Sequence, residues 1–419
     1  MHILPAVIPK TQSPMKRAIV NVSGTAGILF VLLAVSISCK TSTEATGDLS
    51  ADTLKLADQR MLAYVEEEKL PCVSTLVIKD GEVAHRSVFG YANIEEGRQL
   101  GEDAIFRIYS MSKPITAAAL MILYDEGKFK LDDPVEKYIP EFEDTKVWVD
   151  GELVDQQEPF TVRHLLTHTA GFCYGFEQSH VDSLYNHARP GGIWNSKTLK
   201  EMVAFVAGLP LKHQPGTTWE YSISIDVAGY LVEVLSGLPF DGFLETRLFG
   251  PIGMKDTGFE VPEEDFGRLA MIYTPDRETG KLTPVENMTN DVKKQVTLFS
   301  GGGGLVSTID DYGRFGQMLL NGGGLDGVRV LEETTVKLIM SDQMPAGVTY
   351  QDGLDYGLGG DVVLETGEYG WSGAASTDFS ADPKNNLVVL AFTQYTPFMG
   401  VPFAEEYQKF VRSALPSAP

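Results

Sequence analysis

Ser110 and Lys113 stand three residues apart at the start of YSMSKPITAAALMILYDEGK. Residues at this spacing lie on one face of a helix. The run after Lys113 is mostly apolar, so we expect a buried helix that ends at Gly127. Free N–H groups and the dipole at a helix start favour negative charge on a serine, and apolar surroundings favour a neutral lysine that can accept a proton. The pair predicts a nucleophile beside a base; the alternative is a capping serine and a lysine that reaches water.

Tyr221 is a second candidate for proton transfer. It lies in PGTTWEYSISIDVAGYLVE, between a Pro-Gly turn and a helix predicted by apolar spacing and ended by Gly237. A phenol is a poor base near neutral pH because its pKa is about 10. A neighbouring ammonium group makes the phenolate accessible. The alternative is a tyrosine that only packs in the core, the commoner fate of the 16 tyrosines in the chain.

A third candidate is the strand segment Trp371-Ser372-Gly373-Ala374. Small residues in a strand allow a substrate to approach the backbone closely. A free backbone N–H on this segment could pair with that of Ser110 to form an oxyanion hole. The alternative is a strand tryptophan that packs on a helix.

These three segments, in this order and at this wide spacing, resemble the motifs of the serine β-lactamases and penicillin-binding proteins. The motifs are SMSK (Ser110–Lys113), YSI (Tyr221–Ile223) and WSG (Trp371–Gly373). The flanks FRIYSMSKPITAAALM, TVRHLLTHTAGF and SGGGGLVSTIDDYGRFGQMLLNGG resemble the class C type of serine hydrolase, and the likeness is closest to the family VIII carboxylesterases. The resemblance covers the chain from about Leu54 to the last helix.

The resemblance implies an acyl-enzyme mechanism without a cofactor or metal. Ser110 would attack a carbonyl carbon, and the backbone N–H groups of Ser110 and Ala374 would hold the oxyanion. Either Tyr221 or Lys113 would act as the base, and both alternatives stay open. The segment from Trp371 to Gly373, including Ser372, would bind the substrate.

Two departures from the family motifs concern the substrate. Ile223 stands where the β-lactamases usually carry an asparagine, and Trp371 stands where they carry a lysine that attracts the substrate carboxylate. Tryptophan offers an apolar face and one N–H donor. We therefore expect a small-molecule ester or amide substrate, and we favour an ester of small or medium acyl chain length. The alternatives are a β-lactamase or D-amino-acid peptidase, an acyltransferase on the same residues, and a cell-wall binder without turnover.

The patterning predicts β-rich ends around a helical middle. Alternating runs flank Lys79-Asp80-Gly81, a strong hairpin signal. YGWSGAASTDFSADPKNNLVVLAFTQ indicates two strands joined at Asp382–Asn386, and FAEEYQKFVRSAL indicates a final helix. We predict an α+β fold of the β-lactamase/transpeptidase type. An antiparallel β-sheet flanked by helices (residues 51–127 and 298–419) would carry a mainly helical second lobe (residues 128–297).

Three helices have sequence-defined faces or ends. We expect a helix over about residues 50–69, a capped helix in TVRHLLTHTAGF that ends at Gly171, and a helix whose N-cap is Thr308. The apolar stripe predicted for the first of these consists of Leu54, Leu56, Met61, Leu62 and Val65.

Several polar or glycine-rich features receive structural interpretations. We expect His164 and His168 to satisfy local hydrogen bonds and Asp226 to be structural. The run Gly301–Gly304 is not followed by the Gly-Lys-Ser/Thr of a phosphate loop, so we expect it to permit close backbone packing behind the sheet.

The first 50 residues indicate export. Residues 1–38 contain a positive start and the apolar run GILFVLLAV, which suits a signal peptide better than a membrane span. Ser38 directly before Cys39 resembles a bacterial lipobox, so we expect a lipoprotein anchored through Cys39, on the periplasmic or outer-membrane face of a bacterium. Residues 39–50 would form a tether. Ordinary cleavage nearby and an uncleaved anchor are the alternatives.

Charge and cysteine content limit the partners. A net charge of −23 argues against nucleic acid and anionic lipid, so membrane contact is expected only through the lipid anchor. Cys72 and Cys173 can be separate buried thiols, the interpretation we favour, or a pair. No Cys/His cluster has zinc spacing. The sequence gives no indication of the oligomeric state.

Overall fold

The computed structural model describes residues 49–416. The predicted signal peptide (residues 1–38), the predicted lipidation site Cys39 and most of the predicted tether (residues 39–50) lie outside the described residues. The last two tether residues belong to the fold. Leu49 is buried, and the Ser50 hydroxyl accepts a hydrogen bond from the Thr53 N–H and so caps the first helix.

The α-helices of the described residues differ widely in length. In chain order they are α1 (Ala51–Glu66), α2 (Ser112–Asp125), α3 (Val162–Leu166), α4 (His180–His187), α5 (Leu199–Ala207), α6 (Ser224–Ser236), α7 (Phe240–Leu244), α8 (Gly250–Ile252), α9 (Glu286–Asn290), α10 (Ile309–Leu320), α11 (Glu333–Ile339) and α12 (Phe403–Ala414).

The strands come mainly from the two ends of the described chain. They are β1 (Cys72–Lys79), β2 (Glu82–Asn93), β3 (Arg98–Gln99), β4 (Phe106–Arg107), β5 (Val147–Val149), β6 (Glu152–Val154), β7 (Tyr273–Pro275), β8 (Leu282–Pro284), β9 (Val306–Ser307), β10 (Gly324–Leu325), β11 (Val328–Arg329), β12 (Leu354–Tyr356), β13 (Asp361–Val363), β14 (Tyr369–Gly373), β15 (Thr377–Asp382) and β16 (Leu387–Phe392).

Eight of these strands form one antiparallel sheet in the order β12-β13-β14-β15-β16-β1-β2-β3. The late strand β16 pairs with the early strand β1, with Leu390 opposite Leu76. Both ends of the chain therefore build the same sheet, and the predicted α+β fold is confirmed. The division into a sheet domain and a helical lobe at residues 128 and 297 stays a prediction.

The hairpin between β1 and β2 forms where the Asp-Gly pair predicts it. Asp80 and Gly81 both have positive φ, 54° and 88°. A two-residue turn of this kind matches the right-handed twist of the flanking strands, and glycine and aspartate tolerate its left-handed backbone best.

The sheet buries both faces, which we call the inner and the outer face. On β1, Leu76 and Ile78 belong to the inner core, whereas Val73 and Val77 belong to the outer core. Helix α10 packs on the inner face so closely that a Cβ on Gly313 would lie 2.9 Å from the Ile78 Cδ1 atom. Helices α1 and α12 cover the outer face.

Three local predictions are wrong in detail. Leu56 is 54% exposed, because the buried face of α1 consists of Leu54, Ala57, Met61 and Tyr64. Helix α3 stops at Leu166 and not at Gly171.

The third correction concerns the C-terminal strands. The stretch from Tyr369 to Phe392 forms three strands, because a tight turn closed by a hydrogen bond from Ser376 N–H to Gly373 C=O separates β14 from β15. The turn expected after Asp382 is present between β15 and β16. The predicted N-cap Thr308 is also confirmed, since its side chain accepts from the Asp311 N–H.

Within residues 49–416, no single helix is both long and apolar enough to cross a membrane. One bent pair, Ser224–Ser236 and Phe240–Ile252, meets the length and composition criteria together. The residues of this pair contribute many of the buried side chains of the core.

Candidate active site

Ser110 lies in a 3-10 turn, Tyr109–Met111, that leads directly into α2. Tyr109 has a φ of 42°, in the left-handed region that non-glycine residues rarely adopt. Such a conformation costs about 1–3 kcal/mol and persists only where surrounding contacts hold it. The Arg107 guanidinium lies 4.5 Å from the centre of the Tyr109 ring and is one such contact. The strained turn presents Ser110, which is half-buried, at the N-terminal end of α2.

Helix α2 is anchored at its N-terminus by bonds from distant segments. The Tyr312 hydroxyl donates to the Met111 C=O at 2.7 Å, and the Leu305 N–H donates to the Ser112 hydroxyl at 3.1 Å. Every residue from Ser112 to Leu123 is buried. The predicted end is also present: Glu126 is the C-cap, and Gly127 has a φ of 71°.

Lys113, Tyr221 and Ser110 form a continuous hydrogen-bond chain. The Lys113 Nζ atom donates to the Tyr221 Oη atom at 2.6 Å, and the same Oη atom lies 2.6 Å from the Ser110 Oγ atom. Lys113 also donates to the Gly302 C=O at 2.6 Å. Among the hydrogen bonds of the described residues, Lys113 reaches Ser110 only through Tyr221.

The Lys113 side chain is buried among oxygen atoms and aromatic rings. The residue is 0% exposed, and its Nζ atom lies 4.4 Å from the centre of the Tyr221 ring and 5.3 Å from that of Tyr174. Two oxygen acceptors and two aromatic rings can replace the water that a buried ammonium group loses. A proton from Ser110 can then pass to Tyr221, whose phenolate the ammonium stabilises.

His168 holds the segment that carries Tyr221. The Glu220 N–H donates to the His168 C=O at 2.9 Å, and the Ser222 N–H donates to the His168 Nδ1 atom at 3.3 Å. Burial and the positive charge of Lys113 keep the pKa of His168 well below 6.5, so Nδ1 is free to accept. The expectation of local hydrogen bonds is wrong for His168, because its partner Ser222 is 54 positions away. The positive φ of His168, 56°, also accounts for the early end of α3.

His164 behaves as expected, because it completes a local helix cap. Its Nδ1 atom accepts from the Thr161 N–H, and the Thr161 hydroxyl accepts from the His164 N–H. Burial lowers the pKa of His164 to about 4, which keeps the ring neutral and Nδ1 an acceptor.

The structure brings the third motif against the turn of Ser110. Gly373 ends β14, and a Cβ at this position would lie 2.3 Å from the Ile108 C=O. Only glycine permits this approach. Ala374 follows directly in the turn after β14, beside the segment that leads to Ser110. The pairing of the Ser110 and Ala374 N–H groups as an oxyanion hole stays a prediction.

Trp371 belongs to an aromatic cluster that forms one wall of the site. Its ring centre lies 5.8 Å from that of Tyr221 and 5.3 Å from that of the buried Tyr356. Trp219 and Tyr350 extend the cluster, with ring centres 4.6 Å apart. Sequence reasoning missed Trp219, Tyr350 and Tyr356. The sequence signal that could have revealed them is the unusual density of aromatic residues in TWEY and TYQDGLDY.

A second aromatic group lies on the other side of Tyr221. The Tyr174 ring centre is 5.1 Å from that of Tyr221, and the rings of Phe176 and Trp194 both stack on Tyr174 at 5.0 and 6.0 Å. Phe176 is 56% exposed and Trp194 is 48% exposed, so an apolar surface leads from solvent to the catalytic candidates.

Two other motif residues, Ile223 and Ser372, contribute no side-chain hydrogen bond to the Lys113–Tyr221–Ser110 chain among the described residues. Ile223 is fully buried and offers no polar group. The Ser372 hydroxyl donates to the Asp378 carboxylate at 2.7 Å, so it is already bonded within the protein.

The glycine run lies between α2 and α6, not behind the sheet as expected. A Cβ on Gly301 would lie 2.7 Å from the Ile225 C=O, and a Cβ on Gly302 would lie 2.5 Å from the Asp226 carboxylate. The close packing was predicted, but the role of the Gly302 C=O as an acceptor for Lys113 was not. A carbonyl carries no side-chain signal in a sequence.

Neither cysteine belongs to the site. Cys72 and Cys173 are separate buried thiols, the interpretation favoured from the sequence. Burial raises the pKa of Cys72 to about 12 and that of Cys173 further, so both stay protonated. Among residues 49–416, no group of three or more His, Cys, Asp or Glu side chains could hold a metal ion.

Known proteins resemble this chain in sequence and in structure. The β-lactamase family matches residues 57–411. Protein Rv1367c of Mycobacterium tuberculosis is 34% identical over 361 residues, which are 78% of this chain and 86% of that protein. Esterase EstB of Burkholderia gladioli is 34% identical over 212 residues, 50% of this chain and 52% of the esterase.

A solved structure extends the likeness to the fold. EstCE1, described as a hydrolase with promiscuous acyltransferase activity, has a TM-score of 0.72 at 25% identity. The match covers 87% of this chain and 98% of EstCE1. The motifs, the sheet and the matched residues together show that the chain is a serine hydrolase that belongs to the β-lactamase family.

Proposed function

We propose that the protein hydrolyses esters of small or medium acyl chains through an acyl-enzyme on Ser110. One observation carries this proposal: the Tyr221 Oη atom lies 2.6 Å from both the Lys113 Nζ atom and the Ser110 Oγ atom. This chain places a nucleophile, Ser110, next to a base, Tyr221, and places a cation, Lys113, where it can stabilise the charged form of the base. A protein that only binds its ligand needs no such arrangement.

The reaction would proceed in two balanced steps. The Ser110 Oγ atom attacks the ester carbonyl carbon while its proton passes to the Tyr221 phenolate. The bond from the carbonyl carbon to the alcohol oxygen breaks, and the alcohol leaves with that proton. Water then attacks the acyl-Ser110 ester, Tyr221 accepts a water proton and returns it to Ser110, and the carboxylic acid is released. The N–H groups of Ser110 and Ala374 would hold the oxyanion in both steps.

The aromatic walls support a neutral, apolar substrate. Trp371 occupies the place at which the β-lactamases carry a lysine, and its ring packs on Tyr221 and Tyr356. Phe176 and Trp194 provide exposed apolar surface beside Tyr174. An ester side chain gains free energy when it leaves water for such surfaces, at about 25 cal/mol per Å² of apolar area. EstB, named an esterase, is consistent with this class of substrate.

The test is the initial rate of p-nitrophenyl butyrate hydrolysis by the wild type and by Ser110→Ala, with nitrocefin as a β-lactam comparison. We expect rapid ester cleavage, slow or absent nitrocefin cleavage and a loss of at least about 10⁴-fold in the variant, since removal of the nucleophile disables the catalytic set as a unit. Ser413→Ala, which changes an exposed serine on α12, is the matched control and should keep full activity. Faster cleavage of nitrocefin than of the ester would overturn the substrate assignment.

Acyl transfer to an alcohol is a second candidate, favoured by the acyltransferase activity in the description of EstCE1. Both reactions share the acyl-Ser110 intermediate and differ in whether water or an alcohol attacks it. Butyl ester formed from p-nitrophenyl butyrate and added 1-butanol would demonstrate transfer. Release of butyric acid alone, at every alcohol concentration, would exclude it.

We also propose that the protein is exported and anchored through lipid on Cys39. The support is the apolar run followed by Ser38-Cys39. Metabolic labelling with a palmitate analogue should mark the wild type and not Cys39→Ala, and the variant should move from the membrane fraction to the soluble periplasmic fraction. Equal labelling of both proteins would contradict the lipid anchor.

A further inference from the structure

Asp226 is a buried acidic residue close to the hydrogen-bond chain. It lies in the first turn of α6, five residues after Tyr221, and is 0% exposed. Its Oδ1 atom accepts from the Gly302 N–H at 3.1 Å and from the Ser300 hydroxyl. A buried carboxylate is costly unless hydrogen bonds and an opposite charge compensate for its lost hydration.

Gly302 connects this carboxylate to the catalytic lysine. Its N–H donates to Asp226, and its C=O accepts from Lys113. One residue therefore spans the carboxylate and the ammonium group, and its position determines where Lys113 finds its second acceptor. The chain from Asp226 through Gly302 and Lys113 ends at Tyr221 and Ser110.

The space around Gly302 leaves little freedom for this arrangement. A Cβ on Gly302 would lie 2.5 Å from the Asp226 Oδ2 atom and 2.6 Å from the Tyr174 hydroxyl. Burial raises the pKa of Asp226, whereas the Ser300 bond, the charge of Lys113 and the Gly302 N–H oppose that rise. The nearby ammonium is thus part of what compensates the carboxylate.

We propose that Asp226 is a positioning residue that keeps Lys113 protonated and directed at Tyr221, so that Tyr221 receives the proton of Ser110. The carboxylate acts through the Gly302 peptide group and through its negative charge. This inference rests on the proposed acyl-enzyme mechanism and decides between the two possible bases. It assigns Asp226 a part in the reaction beyond the structural role expected from the sequence.

Other titratable groups face the same region and define what a pH measurement reports. The rings of Tyr174 and Tyr221 face Lys113, and burial and the Asp226 charge raise the pKa of Tyr174 well above 10. His168 stays neutral because burial and Lys113 lower its pKa. The Asp226 carboxyl belongs to the same group of residues, and burial raises its pKa.

The experiment is the pH profile of Ser110 acylation by a fluorophosphonate probe in the wild type and in Asp226→Asn. Asparagine keeps the shape and the Oδ1 acceptor but removes the charge. We expect acylation about 10- to 100-fold slower, with the acid limb of the profile moved to lower pH. A negative charge stabilises the protonated forms of neighbouring groups, so its loss should move the pH dependence of acylation to lower pH.

Asp311→Asn is the matched control. Asp311 is also a buried aspartate on a helix that accepts from a backbone N–H and a hydroxyl, those of Asp256 and Thr257, and burial also raises its pKa. Its carboxylate bonds within residues 49–416 do not involve Lys113, Tyr221 or Ser110. We expect it to lower the melting temperature as much as Asp226→Asn does, without moving the acid limb. Equal pH profiles for the two variants would overturn the proposal.

A second variant covers the case in which Asp226→Asn does not fold. Ser300→Ala removes one hydrogen bond to Asp226 without changing a charge, so acylation should slow by a few-fold with the same direction of change in the acid limb. An unchanged rate and profile would overturn the proposal. Fluorophosphonate labelling of Ser110 does not depend on the natural ester. A failure of the Asp226 proposal can therefore be distinguished from a failure of the proposed esterase activity.

Discussion

The two faces of the sheet bury carboxylates in different ways. On the inner side, Asp226 lies within a hydrogen-bonded path to a buried cation, Lys113. On the outer side, the register places Asp361, opposite Gly370, on the same face as Ser372 and its partner Asp378. There Asp378 accepts from Gln408 of α12.

The outer cluster contains more acid than base. Glu368 bonds to Arg412 of α12, while burial and the neighbouring Asp378 and Glu368 raise the pKa of Asp361 to about 7. Burial also raises the pKa of Asp378. Burial also raises the pKa of the inner carboxyl Asp226, and the charge of Lys113 opposes that rise. The inner carboxyl thus lies on a hydrogen-bonded path to the candidate catalytic residues, whereas Asp378 and Glu368 on the outer side bond to α12.

On the inner side of the sheet, we expect the largest loss of activity when the Tyr221 hydroxyl is removed. Tyr221→Phe removes the Oη atom that joins Lys113 to Ser110 and leaves the ring packing intact. General base catalysis contributes about 10²- to 10⁴-fold, and we expect kcat for p-nitrophenyl butyrate to fall toward the upper end of that range. The melting temperature should change little. A variant with more than a tenth of the wild-type kcat would show that Tyr221 is not the base.

On the outer face, Met61→Ala should affect stability and not turnover. Met61 is 0% exposed between α1 and the sheet, so its truncation leaves a cavity. We expect the free energy of unfolding to fall by about 2–5 kcal/mol, measured by urea denaturation. Leu56→Ala on the exposed side of α1 is the control and should cost much less. A parallel loss of kcat at a temperature where Met61→Ala is fully folded would contradict the separation of the two faces.

Gly302→Ala should lower turnover on the inner side by about 100-fold. The added Cβ would lie within 2.6 Å of both Asp226 and Tyr174, so the Gly302 C=O must move away from Lys113. The loss compares with that of one oxyanion-hole donor, about 10²- to 10³-fold. Gly303→Ala is a close control, because its nearest contact would be 3.7 Å. Equal kcat values for the two variants would show that the position of the Gly302 carbonyl is unimportant.

Asp361→Asn should change the pH dependence of stability on the outer face. The pKa of Asp361 is raised from 3.8 to about 7 in the folded protein, so the native state binds its proton more tightly than the unfolded state does. The free energy of unfolding should therefore fall as pH rises from about 4 to about 7, and level off above that range. The variant should lack this contribution. Its free energy of unfolding should therefore rise relative to that of the wild type as the pH rises from about 4 to about 7.

Melting temperatures at pH 5, 6, 7 and 8 would measure the Asp361 effect. Asp352→Asn, an exposed aspartate in the preceding segment, is the control and should follow the wild type. A constant difference between Asp361→Asn and the wild type at all four pH values would contradict the raised pKa. Ester hydrolysis by the folded variant should stay near the wild-type rate.

Local chemistry explains what could be predicted. The hairpin at Asp80-Gly81, the end of α2 at Gly127 and the cap at Thr308 depend on residues within a few positions, so their signals are complete in the sequence. The spacing of Ser110 and Lys113 is likewise a property of one helix start. Tyr221 and the segment from Trp371 to Gly373 were candidates by residue type, but only the resemblance to a family predicted that they lie near Ser110, because nothing local places them there.

Contacts between distant segments explain what could not be predicted. Which side of α1 is buried depends on the sheet and α12, and this is why Leu56 is exposed and Tyr64 is buried. The hydrogen bond from the Ser222 N–H to the His168 Nδ1 atom joins the segment of Tyr221 to a loop that is distant in the chain.

The order of the amino acids therefore specifies the nucleophile, its neighbouring lysine, the helix starts and stops, and the two β-rich ends of the sheet. Only the tertiary structure shows that Lys113 reaches Ser110 through Tyr221. It also shows that Lys113 donates to the Gly302 carbonyl and that the Gly302 N–H donates to the Asp226 carboxylate. The division arises because turns and caps are made by neighbouring residues, whereas a buried charge needs partners that folding collects from α2, α6 and the glycine run together.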